Sequence, residues 1–374
     1  MRFIYFLILI FVLSACQQQK INKEPISKTT HSLQIKYAQW FKIEYLKDYK
    51  KISVLNPWTK YIYWEYYLYK EKIESENKDK FSILSTPQNS TVLSGTQIGM
   101  FDKLNIIKKI TAVANAKYIY NPYIRKQVKD GKIIELGDAS TLNVEKTYLN
   151  HSDIIFATAW DKIDPKFKKL LAQNKTIAFV MDWQEQSPLA RAEWIKFVAA
   201  FYNLEIQANT LFDSIENHYL SLKIIAQKSI TQPTVFHGTP MSGTWYIAGG
   251  RSFAAQFYKD ANANYLWEND SSTGSRPLSF EAVFQKAKKA NFWFNTSRLS
   301  TRADLYNSDQ RYALFESYKT KSIYTNGETI KAPSPSSFWE LGTVNPDQVL
   351  EDIIAIIHPE LLPKHKLQFY RQLE

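Results

Sequence analysis

A helical stripe flanked on both sides by alternating strands and helices is the feature that most constrains this fold. Leu204, Ala208, Leu211, Ile215, Tyr219 and Leu222 recur every three or four residues, which predicts one apolar face on a long helix. Before the stripe, KISVLNPW, YIYWEYYLY, FSILS and TVLSG read as short strands closed by Asn-Pro, Pro87 or Gly95, because β-branched and aromatic runs fit a pleated surface. Helical spacing over 101–115 follows, then a short run at Lys117 to Tyr120 and a strand at Ile133 to Leu136. Leu142 to Leu149 reads as helix, and Asp153 to Ala157 and Thr176 to Met181 as buried strands. Ser187-Pro188 supplies an N-cap and a first-turn proline, opening a helical pattern of about forty residues with a break near Asn203. Beyond Pro233 a second series begins: Thr234 to His237, a glycine-rich loop, helices from Ser252 and from Phe280, and a strand at Phe292 to Phe294. Strands separated by helices imply βαβ units and parallel sheets. Two α/β lobes joined by one long helix are therefore expected.

A short internal repeat relates the lobes. Leu142-Asn143-Val144-Glu145 precedes a helix and then Asp153-Ile154-Ile155-Phe156. Leu278-Ser279-Phe280-Glu281 precedes a helix and then Asn291-Phe292-Trp293-Phe294, with two extra residues between. Repeats of this kind report shared architecture more than chemistry.

The chain opens with Arg2 and an apolar run from Phe3 to Val12. That run is shorter than the ~20 residues needed to span a bilayer and suits a signal-peptide core. Leu13-Ser14-Ala15-Cys16 resembles the lipobox of bacterial lipoproteins, L-[AS]-[AG]-C. The resemblance implies cleavage before Cys16 and a diacylglyceryl anchor on its thiol. The expected organisation is a signal peptide over 1–15, a polar tether over 16–32, a lobe over 33–203, a linker helix over 204–230 and a second lobe over 231–374. Cys16 is the single cysteine, so its lipidation leaves no disulfide, no thiolate metal site and no cysteine nucleophile. No cofactor beyond that lipid is expected.

Charge and motif content narrow the chemistry. Lysine and arginine number 47 against 36 acidic residues, a formal net charge of +11. The lysines are scattered, with no dense basic tail; a lipoprotein outside the cytoplasm would not meet nucleic acid, so the charge is read as favouring anionic ligands or membrane surfaces. Five of the nine arginines, Arg251, Arg276, Arg298, Arg302 and Arg311, fall between positions 251 and 311, and arginine is the side chain suited to fixed recognition of anions. The six histidines show no H-x-x-x-H spacing, which argues against a closed zinc site. Neither a G-x-S-x-G elbow nor a phosphate-binding glycine fingerprint occurs, so no catalytic residue is assigned. Aromatics at strand ends and in loops remain: Trp58, Trp160, Trp183, Trp245 and Trp339. In open α/β sheets, ligands bind beyond the carboxyl ends of strands. With Arg251, Arg276 and Arg298, these aromatics predict a cleft for a flat or aromatic anionic ligand.

Four segments, N-V-E-K-T-Y-L with S-D-I-I-F, W-Y-I-A-G-G-R-S-F with D-A-N-A-N-Y, L-S-F-E-A-V-F, and N-P-D-Q-V-L-E-D-I-I-A-I-I-H-P-E-L, make residues 50–363 resemble the substrate-binding lipoproteins of ABC importers for ferric siderophores, haem and cobalamin. The resemblance implies two Rossmann-like α/β lobes joined by one inter-lobe helix, with the ligand cleft between them. It implies that Glu145 and Glu281 dock on arginines of an ABC permease. It further implies a monomer in the cell envelope, held to a membrane by lipid, with a ferric chelate as ligand and no enzymatic activity. Cobalamin or haem is the alternative ligand; a cell-envelope enzyme or a surface interaction protein on the same fold is the alternative class. The chain departs from the family at Asp260-Ala261-Asn262-Ala263, where D-A-G-G is usual, and at the aromatic segment 58–69, expected to form an extra hairpin near the cleft.

Overall fold

The computed structural model describes residues 33–69, 82–84, 86–296, 299, 301–327 and 336–374. The expected signal peptide (1–15) and tether (16–32), Cys16 and Arg298 lie outside the described residues. Strands β1 (Phe41–Tyr45), β2 (Tyr49–Leu55) and β3 (Ile62–Tyr69) form an antiparallel meander, and β4 (Ser82–Leu84) joins β3 in parallel. The segment 58–69 thus builds the turn and second strand of a hairpin, as its aromatic content predicts.

The first lobe's sheet contains β5 (Ser90–Val92), β6 (Ile110–Val113), β7 (Ile134–Glu135), β8 (Ile154–Thr158) and β9 (Ile177–Val180). All its pairings are parallel, in the order β7-β6-β5-β8-β9. The continuous apolar runs of β8 and β9 are buried almost throughout, as strands covered on both faces require. In the second lobe, β10 (Thr234–His237) is followed by the hairpin β11 (Pro240–Met241) and β12 (Thr244–Ala248). Then come β13 (Asn264–Tyr265), β14 (Ser275–Leu278), β15 (Phe292–Phe294), β16 (Ile323–Thr325) and β17 (Arg371–Gln372). Its main sheet runs β13-β10-β15-β16-β17, with only β17 antiparallel. The orders β6-β5-β8-β9 and β13-β10-β15-β16 are the same. The sequence repeat marks this duplication, because Asn143 and Ser279 are both N-caps. Their side chains accept the backbone N–H of Lys146 and Ala282 and start the helices that lead to β8 and β15.

Two expectations are corrected. The helix expected over 101–115 runs instead from Gly95 to Lys103, and 110–113 is strand β6. Left-handed Asn105 (φ 56°) turns the chain, and a four-residue apolar run cannot be assigned from periodicity alone. The glycine-rich loop after β10 is the β11–β12 hairpin, turned at Ser242 (φ 51°) and Gly243 (φ 82°). Two successive positive φ angles match the right-handed twist of a tight hairpin.

Between the lobes the helical pattern divides into three helices. Ser187 caps Pro188–Ala192 by accepting from the backbone N–H of Ala190. Ile195–Tyr202 stops at left-handed Asn203 (φ 56°), and Glu205–Ala226 carries the apolar stripe. The C-terminal helix Pro346–Ile357 packs on this last helix. Just before β1 the chain crosses the same region and is held there by buried carboxylates. Glu193 accepts the backbone N–H groups of Lys36, Tyr37 and Ala38 at 2.7–2.8 Å. Glu185 accepts those of Gln39 and Trp40 together with the Trp194 indole. Burial pushes the Glu185 carboxyl up to about 7.

Candidate functional site

The carboxyl ends of the first lobe's strands carry a three-tryptophan platform. Trp160 follows β8 and Trp183 follows β9; their ring centroids are 4.5 Å apart. Trp58 arrives from the β2–β3 turn, 6.0 Å from the Trp183 ring. Asn56 shapes that turn, its side-chain oxygen accepting from the backbone N–H of Trp58 and Thr59. Its amide donates to the Asp161 carbonyl at 3.0 Å, which ties the hairpin to the loop bearing Trp160. The Trp183 indole donates to the Ala159 carbonyl, fixing the middle ring. Trp58 and Trp160 remain 47% and 56% exposed, so two of the three rings present free surface. Sequence separation of over a hundred residues between Trp58 and Trp160 is closed here by the hairpin and the sheet.

At the same edge, Val92 to Gly95, Ala114, Asn115 and Asp138 border a cavity of about 150 Å³. The floor between the lobes is built by the segment Phe338–Gly342, which lies on the helix Gly95–Lys103. Glu340 accepts the backbone N–H groups of Tyr120 and Asn121 at 2.8 Å each. Burial pushes its carboxyl up to about 7. Trp339 stays 52% exposed beside Phe338. On the second lobe, His237 ends β10 and hydrogen-bonds Tyr258 at 2.8 Å. Burial holds His237 down to about 4, so it is neutral at pH 7.

The remaining expected residues are dispersed. Trp245 lies on β12 and is fully buried among Phe236, Trp293, Phe280 and Phe315. Its indole donates to the His237 carbonyl. A ligand has no access to it, because the β12 register turns the ring into the core. Arg276 is ion-paired with Asp270, and Ser272, foremost, with Arg276 holds that carboxyl down to about 2. Arg251 lines a different cavity, of about 420 Å³, with Gln186, Ser187, Gln256, Lys259 and Glu268. The Gly249-Gly250 pair serves neighbouring backbone and not a ligand: a Cβ at either position would lie 2.3–2.5 Å from atoms of 267–272. Glu145 and Glu281 occupy equivalent exposed sites, each the second residue of its helix. Glu281 already accepts from Arg311 at 3.3 Å.

Sequence reasoning missed Asp182, Arg191 and Glu340, charged residues buried where the lobes meet. Only the placement of Asp182 between β9 and Trp183 was available as a signal. Among the described residues no helix is long and apolar enough to cross a membrane.

Comparison with known proteins places this geometry. The sequence model of a family described as periplasmic binding protein matches residues 91–329. An uncharacterized lipoprotein of Methanocaldococcus jannaschii is 26% identical over 401 aligned positions, spanning 96% of this chain and 92% of the relative. Among solved structures, a possible iron-binding (periplasmic solute-binding) protein from Staphylococcus epidermidis superposes with a TM-score of 0.57 at 18% identity, covering 73% of this chain and 99% of that one. A periplasmic heme binding protein from Pseudomonas aeruginosa superposes with a TM-score of 0.58 at 16% identity, covering 77% and 98%.

Proposed function

The chain belongs to the periplasmic binding protein family, and from that premise we propose that it is a lipid-anchored receptor for a ferric siderophore or related iron chelate, which it delivers to an ABC permease. The observation that carries the reading is the Trp58–Trp160–Trp183 platform at the carboxyl edge of the first sheet. Large rings held by backbone bonds, with two faces open, suit a bulky ligand that is flat or aromatic in part. The structural neighbours described as a possible iron-binding protein and as a heme binding protein support the cargo class, and the lipoprotein relative supports the anchor. In this reading residues 33–203 and 231–374 are the lobes, 204–230 links them, and Trp339 and the platform face the cargo. Recognition is non-covalent, and the protein works as a monomer on the envelope.

Titration of the protein's tryptophan fluorescence with ferric siderophores, haemin and cobalamin tests the reading. A ferric siderophore is expected to quench at sub-micromolar to micromolar concentration. Trp58→Ala/Trp160→Ala should weaken it by roughly 2 kcal/mol, about thirtyfold, as for a stacked aromatic anchor, with thermal stability little changed because both rings are half exposed. Unchanged affinity in that variant removes the platform from the site; saturation by haemin or cobalamin with no response to siderophores moves the cargo to that alternative.

Delivery is assigned to Glu145 and Glu281, whose matching positions give the two lobes one charge each for a permease with paired arginines. Exposed pairs of this kind act on docking rate and register. Reversing each charge, Glu145→Arg or Glu281→Arg, is expected to cut uptake of labelled ferric chelate into cells by about tenfold or more, since like charges then face each other. Chelate affinity of the purified variants should stay at the wild-type value. Equal loss of binding and uptake would contradict a docking role.

A further inference from the structure

An open groove on the first lobe is lined by cations that their own surroundings leave unpaired. It lies between the turn Ala116–Tyr118, which follows β6, and the helix Pro122–Lys129, and encloses about 530 Å³. Ala116, Pro122 and Val128 line it with apolar groups, and Lys117, Arg125, Lys126 and Lys129 with cations. All four cations are exposed. Lys126 is taken by Asp130 at 2.6 Å, and Glu135 turns its carboxylate to the backbone N–H of Ala116. Among the described residues no acid pairs with Lys117, Arg125 or Lys129.

Helix energetics account for only part of this arrangement. Lys126 and Lys129 lie in the last turn, where the helix dipole favours cations. Arg125 gains nothing there. It stands four residues before Lys129, the spacing at which like charges on one helix face repel. Lys117 adds a further cation from the turn. An anionic surface relieves that repulsion, and an apolar lining beneath lysine and arginine heads lets their stems cover apolar area while the charges stay in a polar layer. Tyr118 ends the turn and Tyr120 lies between turn and helix, both exposed. The Lys117 ammonium is 5.9 Å from the Tyr118 ring centre, and amphipathic rings of this kind favour the headgroup layer of a bilayer. Tyr118 and Ile119 also line the 150 Å³ cavity at the carboxyl edge, together with Asp138 and Ala139. From those two the chain runs into the helix that carries Glu145. The groove thus adjoins the edge of the lobe that must face a membrane during delivery.

We propose that this groove is a membrane-docking surface, which takes the phosphate headgroups of anionic lipids on Lys117, Arg125 and Lys129 and turns the cleft edge of the first lobe toward the bilayer. The choice of a membrane as partner rests on the anchored-receptor reading above. A lipid anchor holds the receptor near the membrane without orienting it. The groove adds a second, electrostatic signal that acts only when this face comes within a Debye length of the surface.

Cosedimentation with vesicles tests the proposal. It needs neither chelate nor permease, so its failure leaves the receptor reading standing. The full chain carrying Cys16→Ser, which cannot take the lipid, is compared on vesicles of pure phosphatidylcholine and on vesicles containing one-third phosphatidylglycerol. The apolar run from Phe3 to Val12 meets both alike, so the ratio of the two affinities reads charge. This chain should favour the anionic vesicles, less so as salt screens the contact. Adding Lys117→Ala/Arg125→Ala/Lys129→Ala is expected to cut that preference about twentyfold or more, since each cation held near an anionic surface contributes several-fold. The control Lys288→Ala/Lys289→Ala/Lys364→Ala removes equal charge from exposed lysines of the second lobe and should cut it less than about threefold. The substituted side chains are all exposed, and thermal melts of both variants should match that of the parent. Equal losses in the two variants would mean that net charge alone binds lipid, and would overturn the assignment. So would equal binding of the parent chain to both vesicle types. Displacement from anionic vesicles by millimolar inorganic phosphate at constant ionic strength would overturn it in favour of a small-anion site.

Discussion

Glu193→Gln is expected to cost about 3–5 kcal/mol of stability, the range for breaking a buried ion pair by removing one partner. The Glu193 side chain is fully buried and accepts three backbone N–H groups from 36–38 and the Lys196 ammonium at 2.8 Å. Lys196 is itself 1% exposed, donates to the Gln34 carbonyl and sits over the Phe212 ring. An amide at 193 keeps one acceptor but points an NH2 group at N–H donors, and it leaves Lys196 charged without its partner. Backbone donors that lose their acceptor pay their full desolvation. The segment leading to β1 would detach from the inter-lobe crossing, although Lys36 and Tyr37 would still hold Glu216. Urea denaturation is the measurement. A double-mutant cycle with Lys196→Met isolates the pair and should give a coupling of at least ~2 kcal/mol. A loss below about 1 kcal/mol for Glu193→Gln would mean the backbone groups of 36–38 find water instead.

The parts of this molecule that sequence makes legible are those specified by local rules. Asn143 and Ser279 cap helices wherever they sit before such a run, and Asn203 adopts the left-handed turn that glycine-free helix ends often need. Trp160 and Trp183 were readable as neighbours because parallel strands place whatever follows them at one edge. Trp245 shows the limit of that argument. Ser242 is a weak turn signal, so the hairpin was not evident, and one residue of register decides whether a strand side chain faces core or solvent. Arg191, Glu193 and Glu340 were opaque for another reason. Nothing local distinguishes a buried charge from a surface one: Asp182 stands nine residues before Arg191 at no recurring spacing, while Lys36 to Ala38 and Tyr120 with Asn121 come from distant segments.

Gly99→Ala is expected to destabilise the junction by about 3 kcal/mol or more, at the upper end of overpacking costs. In an exposed helix the same change would stabilise by nearly 1 kcal/mol, so the sign is set by space. A Cβ on Gly99 would lie 1.8 Å from the Glu340 carbonyl oxygen and 2.9 Å from its carbon, and both belong to backbone that cannot rotate away. The segment Phe338–Gly342 must lift from the helix Gly95–Lys103, which takes the Glu340 carboxylate from Tyr120 and Asn121. That consequence has a pH signature. Burial raises the folded-state value of Glu340 from 4.5 to about 7. Its contribution to stability is therefore fully present below pH 4.5 and declines as the pH rises through 7. A variant with Glu340 exposed lacks this slope, so the stability gap between wild type and Gly99→Ala should be widest near pH 4.5 and narrow toward pH 7.5. Glu185, also near 7, is unaltered by the substitution and cancels in the comparison. Urea midpoints at the two pH values, with hydrogen exchange at the Tyr120 and Asn121 amides, report the two effects separately. Wild-type stability with both amides still protected would show that the contact absorbs the added carbon without parting, and that the glycine is not what lets these two segments pack together.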